Sequence, residues 1–237
     1  MRFSFALIVL AAFGNVAGAS TDCEGLAKLT LPGVAIDIAQ AVPAGSFTPP
    51  GSAPIASLPA FCRVAAVIRP TSDSNIQFEV WMPGSGWNGK FQGIGNGGFA
   101  GSIGFGAMAT AVSHGYATAS TDTGHSGGVT DATWALGHPE KVVDFGYRAI
   151  HQTTEKAKAI IDAFYGHGPQ RSYFSSCSNG GRQALMEAQR FPADYDGIIA
   201  GAPANFWTHL LSAALWDVQA TMLDPASYIP ADKIPAL

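Results

Sequence analysis

Charged side chains are scarce in this chain, and no cluster of basic residues occurs in it. Lysine and arginine together number 13 and aspartate and glutamate 17, which gives a net charge of −4. Proteins that bind nucleic acid present a basic patch or stripe, so we predict no nucleic-acid partner. No apolar run beyond the N-terminus approaches the roughly 20 residues that cross a bilayer, so we also predict no membrane partner.

The sequence also lacks the short motifs that are typical of metal and cofactor sites. It has no His-Glu-x-x-His, no Cys-x-x-Cys and no acidic calcium loop, and these are the common local signatures of metal sites. Its glycine cluster at 95–98 is not followed by Gly-Lys-Ser/Thr, so it is not a phosphate-binding loop. We therefore predict no metal and no cofactor in this chain.

The composition that is present suits a loop-rich globular enzyme. Of 237 residues, 47% are hydrophobic and 28 are glycine, enough for one sizeable core. Arg2, an apolar stretch at 5–13 and small residues at 17–19 form the pattern of a signal peptide. We predict a signal peptide over residues 1–19, a secreted or periplasmic protein, and one domain over residues 20–237.

Only three cysteines occur. In an oxidising compartment, Cys23 and Cys62 are predicted to form a disulfide. Cys177 is left over. It is either a free thiol in a partly buried place or bonded to a cysteine outside this sequence.

Apolar patterning predicts an α/β fold. Strands are indicated at 61–68, 76–82, 90–94, 116–121 and 195–200, and a long helix at 142–165 is ended by the glycine at 166. Strands that alternate with helices in this way predict a mostly parallel sheet flanked by helices.

The most informative segment is 171–191. A short strand pattern stops at Cys177-Ser178-Asn179-Gly180-Gly181, and a helical pattern follows at once. A serine on a sharp strand-to-helix turn, with glycine two residues later, is typical of the nucleophile elbow of α/β-hydrolases. Ser178 is therefore the candidate nucleophile.

Two other interpretations of the segment stay open. Ser178 could be an ordinary helix N-cap, and Cys177 is a weaker rival nucleophile because no neighbour in sequence lowers its pKa. The pattern is also imperfect, since Ser176 occupies the position where glycine is usual. Serine is small enough to pass the helix with some crowding.

An acyl-transfer site needs two N–H donors for the oxyanion and a histidine base held by an acid. The predicted donors are the backbone N–H groups of Asn179, directly after the nucleophile, and of Gly98, in the loop after an earlier strand. His125, in a loop after the 116–121 strand, is predicted to line the pocket. The base is harder to find, because His209, the histidine that follows Ser178, lies in an apolar helical pattern.

These segments resemble the tannase and feruloyl esterase family of secreted α/β-hydrolases. The resemblance is carried by Cys177–Ala184, by Phe-Pro-Ala-Asp-Tyr-Asp-Gly-Ile at 191–198, and by the Gly-Asn-Gly-Gly-Phe and Thr-Asp-Thr-Gly-His segments at 95–99 and 121–125. It extends over about residues 23–237.

The resemblance implies that Ser178 is the nucleophile and that Cys177 forms a disulfide next to the catalytic histidine. It places that histidine, the catalytic aspartate and a lid domain with a structural calcium ion downstream of this sequence. The resemblance thus implies that residues 20–237 are a partial α/β-hydrolase catalytic domain, truncated before its lid and last strands.

Two hypotheses of function follow. The first is a secreted serine esterase acting on small aromatic or plant cell-wall esters of the feruloyl or galloyl type. In that case residues 1–237 alone are expected to be inactive. The second is a non-catalytic remnant or binding protein without a complete triad.

Overall fold

The computed structural model describes residues 20–236, so the predicted signal peptide lies outside the described residues. The strands are β1 (Val34–Val42), β2 (Gly45–Phe47), β3 (Ile55–Leu58), β4 (Phe61–Ile68), β5 (Ile76–Pro83), β6 (Lys90–Ile94), β7 (Ala117–Thr121), β8 (Arg171–Cys177) and β9 (Gly197–Gly201). The helices are α1 (Phe105–Ser113), α2 (Pro139–Val143), α3 (Ala149–Tyr165), α4 (Asn179–Arg190) and α5 (Trp207–Met222). A π-helical turn, Asp144–Arg148, lies between α2 and α3.

Seven strands form one sheet in the order β1-β4-β5-β7-β6-β8-β9, and β2 and β3 form a separate hairpin. The pairs among β7, β6, β8 and β9 are parallel, whereas β1, β4, β5 and β7 pair antiparallel in that order. Five of the seven strands consequently point the same way. The predicted mostly parallel sheet is confirmed.

Helices α1, α3 and α4 cover the two faces of this sheet, because each of them buries apolar residues against it. In α3 the buried residues recur at helical spacing, from Ala149 and Ile150 to Ile160 and Ile161, and the helix ends at Gly166 in the left-handed region with a φ of 77°. A larger hydrophobic cluster contains α3 and α4, and a smaller one contains Trp81 and α1.

Several elements of the fold differ from the sequence prediction or were absent from it. The predicted helix over 142–165 is interrupted by the π-helical turn. Strands β1, β2 and β3 were not predicted because they lie in a segment rich in proline, glycine and alanine, and helix α1 was not predicted because it begins after a glycine-rich loop and has little polar contrast. Strands β4 to β9 and helix α4 lie within a few residues of their predicted positions.

The predicted disulfide is present and ties the N-terminal segment to the sheet. Cys23 and Cys62 are joined across a sequence separation of 39 residues, and both are buried. Within residues 20–236, no helix has the length and apolarity that crossing a bilayer requires.

Candidate active site

The carboxyl ends of the parallel strands meet at one edge of the sheet, and there β8 turns sharply into α4 at Ser178. Its backbone has a φ of 61° and a ψ of −123°, a strained conformation for a residue with a side chain. Three hydrogen bonds hold it. The Ser178 N–H donates to the Gly201 oxygen at 3.0 Å, and the Ser178 carbonyl accepts from the N–H groups of Arg182 at 3.1 Å and Ala204 at 3.0 Å.

The Ser178 side chain is exposed and does not cap the helix. Although Ser178 occupies the N-cap position of α4, its oxygen accepts no capping hydrogen bond, so the capping interpretation does not account for the serine. Cys177 is a free thiol and is exposed, not partly buried as one sequence interpretation had it. The chain therefore presents two adjacent polar side chains at the end of β8.

The crowding expected from Ser176 is visible on the inner side of the turn. A side chain at Gly180 would collide with Ser176 Oγ and would approach the Asn96 carbonyl oxygen to 3.2 Å. A side chain at Gly95 would meet the same Oγ at 2.8 Å and the Gly180 Cα at 2.9 Å. Serine fits at 176 because both of these neighbours are glycines.

The two predicted oxyanion donors lie on the two segments that meet at this turn. Asn179 is the first residue of α4 and is fully buried. Gly98 has a φ of 54°, and a side chain there would collide with the main-chain oxygen of Val129. Within residues 20–236, neither backbone N–H donates to a protein acceptor, and their role as oxyanion donors stays a prediction.

Sequence reasoning missed the pair of residues that joins these two segments. The Asn96 N–H donates to Gln183 Oε1 at 3.1 Å, and Gln183 Nε2 donates to Asn96 Oδ1 at 3.0 Å. Asn96 Nδ2 in turn donates to the carbonyl oxygens of Ser102 and Thr121 at 2.7 and 2.6 Å. This network fixes the loop after β6 against α4, and it joins residues 87 positions apart, a distance at which no local pattern could have indicated it.

His125 is buried next to the segment that carries Phe99. Its Nε2 lies 2.7 Å from the Phe99 carbonyl oxygen, and its ring stacks on Trp134 with centroids 3.8 Å apart. Burial lowers the pKa of His125 below the usual value. The side chain is 5% exposed and supports the Phe99 segment and Trp134, so a role in lining the pocket stays a prediction.

An apolar cavity of about 330 Å³ lies between the π-helical turn and the side chain of Arg182 on α4. It is lined by Phe99, Ala132, Trp134, Ala135, Val142, Phe145, Gly146, Arg182 and Trp207. Its volume lies at the lower end of the range of about 300–1,000 Å³ typical of small-molecule pockets. Arg182 connects it to the elbow, because the Arg182 N–H is bonded to the Ser178 carbonyl.

The Arg182 side chain also holds the wall of the cavity in place. Its guanidinium donates to the carbonyl oxygens of Phe145 and Gly146, each at 3.0 Å, and to Asn179 Oδ1 at 2.8 Å. These two carbonyls belong to the π-helical turn. Burial lowers the pKa of Arg182 to about 10, so it stays protonated at neutral pH.

The chain's six histidines all engage groups other than Ser178. The partners closest to their ring nitrogens are Thr110 for His114, Phe99 for His125, Asp73 for His138, Asp194 for His151, Gly168 for His167 and Thr208 for His209. His209 is exposed on α5. Residues 20–236 thus contain no histidine bonded to the candidate nucleophile.

Comparisons with known proteins agree with this geometry. The chain is 47% identical over 98% of its length to an uncharacterised esterase of Xanthomonas campestris, of which it covers 41%. The crystal structure of feruloyl esterase B from Aspergillus oryzae superimposes on 77% of this chain with a TM-score of 0.72 and 38% identity, and 36% of that chain is covered. Tannin acyl hydrolase from Aspergillus niger matches 75% of this chain at 28% identity with a TM-score of 0.60, and 34% of it is covered.

These relatives are esterases with the α/β-hydrolase fold, and this chain spans about two fifths of the length of the curated relatives that it matches. The family model described as tannase and feruloyl esterase matches residues 62–237. The chain belongs to the tannase and feruloyl esterase family.

Proposed function

We propose that this chain carries the nucleophile of a secreted serine carboxylester hydrolase that cleaves esters of aromatic acids. The observation that carries the proposal is Ser178 itself. It is exposed, held at a positive φ on the strand-to-helix turn, and free of any capping bond. A serine in this position presents its Oγ to a substrate and places a developing negative charge at a helix N-terminus.

In the proposed reaction, Ser178 Oγ attacks the ester carbonyl carbon and its proton passes to a histidine base. The carbonyl oxygen becomes an oxyanion that accepts hydrogen bonds from the N–H groups of Asn179 and Gly98. The alcohol then leaves with a proton from the base, and water attacks the acyl-enzyme to release the acid. Because none of the chain's histidines is bonded to Ser178, the base belongs to sequence outside residues 20–236, and these residues alone are inactive.

The cavity supports an aromatic acid as the acyl group. Its walls carry four aromatic side chains, those of Phe99, Trp134, Phe145 and Trp207. Aromatic rings pack favourably against one another in edge-to-face or offset arrangements. Feruloyl- or galloyl-type esters are therefore the substrates that we propose.

Replacement of the nucleophile tests the proposal. In the full-length protein that contains this chain, Ser178→Ala should lower the hydrolysis of methyl ferulate by about six orders of magnitude, as loss of a catalytic serine does. Ser175→Ala, on the same strand, is the matched control and should leave turnover within a few-fold of the wild-type protein. A fluorophosphonate probe should label the wild-type protein at Ser178, as read by peptide mass spectrometry.

A Ser178→Ala variant with near-normal turnover would remove Ser178 from the mechanism. A wild-type full-length protein that binds ferulate but neither hydrolyses its ester nor reacts with the probe would favour the second hypothesis, a binding protein without a complete triad.

A further inference from the structure

A second cluster of titratable side chains lies away from the elbow, on the inner face of α4. His151 of α3, Glu187 of α4 and Asp194 of the turn before β9 each direct one nitrogen or oxygen atom inward. These three atoms lie within 4.8 Å of one another. The cluster joins three separate segments of the chain.

Glu187 is the unusual member, because its carboxylate is fully buried and has no partner. Its side chain is 0% exposed, and within residues 20–236 neither Oε1 nor Oε2 accepts a hydrogen bond. A buried anion without compensation is strongly disfavoured, so such groups normally pair with a cation or a donor. The described residues supply no N–H or hydroxyl donor to Glu187; its neighbours are the Asp194 carboxyl and, farther away, the Lys158 ammonium.

The other two groups are already oriented toward each other. His151 Nδ1 lies 2.7 Å from Asp194 Oδ2. The His151 ring stacks on Phe191 with centroids 3.7 Å apart and planes 7° apart. The imidazole is therefore held in place and faces the two carboxylates.

Lys158 is the nearest candidate for a neutralising cation, but its ammonium group is used otherwise. Its Nζ donates to the main-chain oxygen of Asp194 and lies over the Tyr195 ring. Among the described residues, Lys158 forms no ion pair with Glu187 or with the Asp194 carboxylate. Two carboxyl groups thus lie beside one imidazole in this space.

We propose that His151, Glu187 and Asp194 bind one divalent transition-metal ion, for which Zn²⁺ is the best fit. Imidazole and carboxylate ligands together suit zinc, whereas calcium and magnesium prefer oxygen ligands alone. Bonds of about 2.0–2.1 Å to a tetrahedral ion place neighbouring ligand atoms about 3.3 Å apart. Accordingly, His151 and Asp194 have to separate by about 0.6 Å, and ligand atoms that lie up to 4.8 Å apart have to approach by up to about 1.5 Å.

The absence of zinc motifs in the sequence does not contradict this site. Glu187 and Asp194 are 36 and 43 positions from His151, so no short sequence motif could indicate the site. A metal here would fasten α3, α4 and the turn before β9 to one another. The site is structural and does not depend on the function proposed for Ser178.

The competing occupant is a proton. Burial, with the adjacent Asp194 carboxyl adding to it, raises the pKa of Glu187 to about 9. A protonated Glu187 that bonds to Asp194 would also satisfy the cluster, without any metal.

The experiment uses the tag-free full-length protein that contains this chain, in a Cys177→Ser background, so that the Cys177 thiol does not compete for zinc. After removal of metals with a chelator, the protein is dialysed against ZnCl₂ at pH 8 and its zinc content is measured. About one equivalent per chain is expected, with an X-ray absorption spectrum showing nitrogen and oxygen ligands at about 2.0–2.1 Å. Zinc should also raise the melting temperature reversibly, because it binds only the folded state.

Glu187→Gln and His151→Gln should weaken zinc binding by at least about 10–100-fold, the effect known for loss of even an outer-shell partner. Asp196→Asn is the matched control and should bind zinc normally, because Asp196 is exposed and pairs with Arg171. Circular dichroism establishes that each variant is folded. If the chelated wild-type protein takes up no zinc, or if Glu187→Gln binds it as tightly as the control, the cluster holds a proton and the proposal is wrong.

Discussion

Asp122 shows how strongly a single position can depend on pH in this fold. It is 6% exposed, and its Oδ1 accepts hydrogen bonds from the N–H groups of Gln77 at 3.0 Å and Gly124 at 2.8 Å. Burial, with a contribution from the nearby Asp144, raises the pKa of Asp122 from 3.8 to about 7. The folded state therefore binds this proton more tightly than the unfolded state does.

The sign of the pH dependence follows from that difference. Well below pH 4, Asp122 is protonated in both states and has no effect on stability. Stability falls as the pH rises from about 4 toward 7, and above pH 7 the full penalty of about 4 kcal/mol remains. An asparagine at position 122 would still offer a side-chain oxygen to the N–H groups of Gln77 and Gly124, and it would carry no charge.

We expect Asp122→Asn to raise the free energy of unfolding at pH 8 by about 2–4 kcal/mol and to change it little at pH 4. Urea denaturation at both pH values measures this. An equal effect at the two pH values would mean that the charge of Asp122 is not what destabilises the protein.

Gly180 offers a test of the crowding inside the elbow. Gly180→Ala should lower stability by about 1–3 kcal/mol, since the added methyl group meets Ser176 Oγ in a packed site. The double variant Ser176→Gly, Gly180→Ala should recover most of that loss. Gly106→Ala, in α1 with open space around it, is the control and should be neutral or stabilising by up to about 1 kcal/mol. Additive effects of the two substitutions would show that the side chains do not meet.

Residue identities at the elbow could be predicted from sequence because the turn is local. The strand, the serine, the two glycines and the helix are consecutive, so one short pattern contains them all. The burial of His125 and the exposure of Cys177 could not be predicted, because both depend on segments distant in sequence, such as the loop that carries Trp134.

At the scale of elements, the loop after β6 is held in position by α4. Gln183 satisfies both the N–H and the side-chain oxygen of Asn96, and Gly98 lies two residues farther along that loop. Loss of Gln183 leaves buried polar groups unpaired, each of which is destabilising by about 1–3 kcal/mol.

Gln183→Ala should therefore lower stability by at least about 1–3 kcal/mol. In the full-length protein it should also lower kcat for methyl ferulate by up to about 10²–10³-fold, the effect of losing one oxyanion donor, with a smaller change in KM. Gln189→Ala, exposed on the same helix, is the matched control and should change neither. Unchanged kcat with reduced stability would restrict the Asn96–Gln183 pair to a purely structural role.

The π-helical turn could not be predicted from the sequence pattern. Its side chains continue the apolar spacing of α3, so the pattern predicted one helix over 142–165. In the structure its Phe145 and Gly146 carbonyls accept the Arg182 guanidinium. A π turn leaves carbonyl groups available in this way and is often found at functional sites. The reason for the π turn becomes visible only from Arg182 of α4, which is distant in sequence and bonds to these carbonyls.

At the scale of the whole molecule, the C-terminal part of the described chain leaves much apolar surface open. No residue of α5 is buried, and Leu215, Trp216 and Met222 are 59%, 67% and 73% exposed. Ile199 of the outermost strand β9 is 66% exposed. Exposed apolar patches of this kind mark surfaces that another part of a protein or a partner covers, or surfaces prone to aggregation.

Residues 1–237 expressed alone should consequently bind the dye ANS strongly, be poorly soluble and hydrolyse no ethyl ferulate above background. The inactivity follows because Ser178 keeps its proton when no base is bonded to it. Fluorescence, sedimentation and an esterase assay measure the three properties, with the full-length protein as the control. A soluble monomer with ordinary turnover would show that one of the six histidines in this chain serves as the base.

The sheet order also has a consequence for the rate at which the elbow opens. β9 pairs only with β8 among the described strands, yet its last residue, Gly201, accepts the Ser178 N–H, and Ala204 just beyond it binds the Ser178 carbonyl. Local unfolding begins at such outer elements, well below the free energy of global unfolding. In a protein limited to residues 1–237, the amide hydrogen of Ser178 should therefore exchange with solvent through detachment of β9, faster than the amide hydrogens of the central strands.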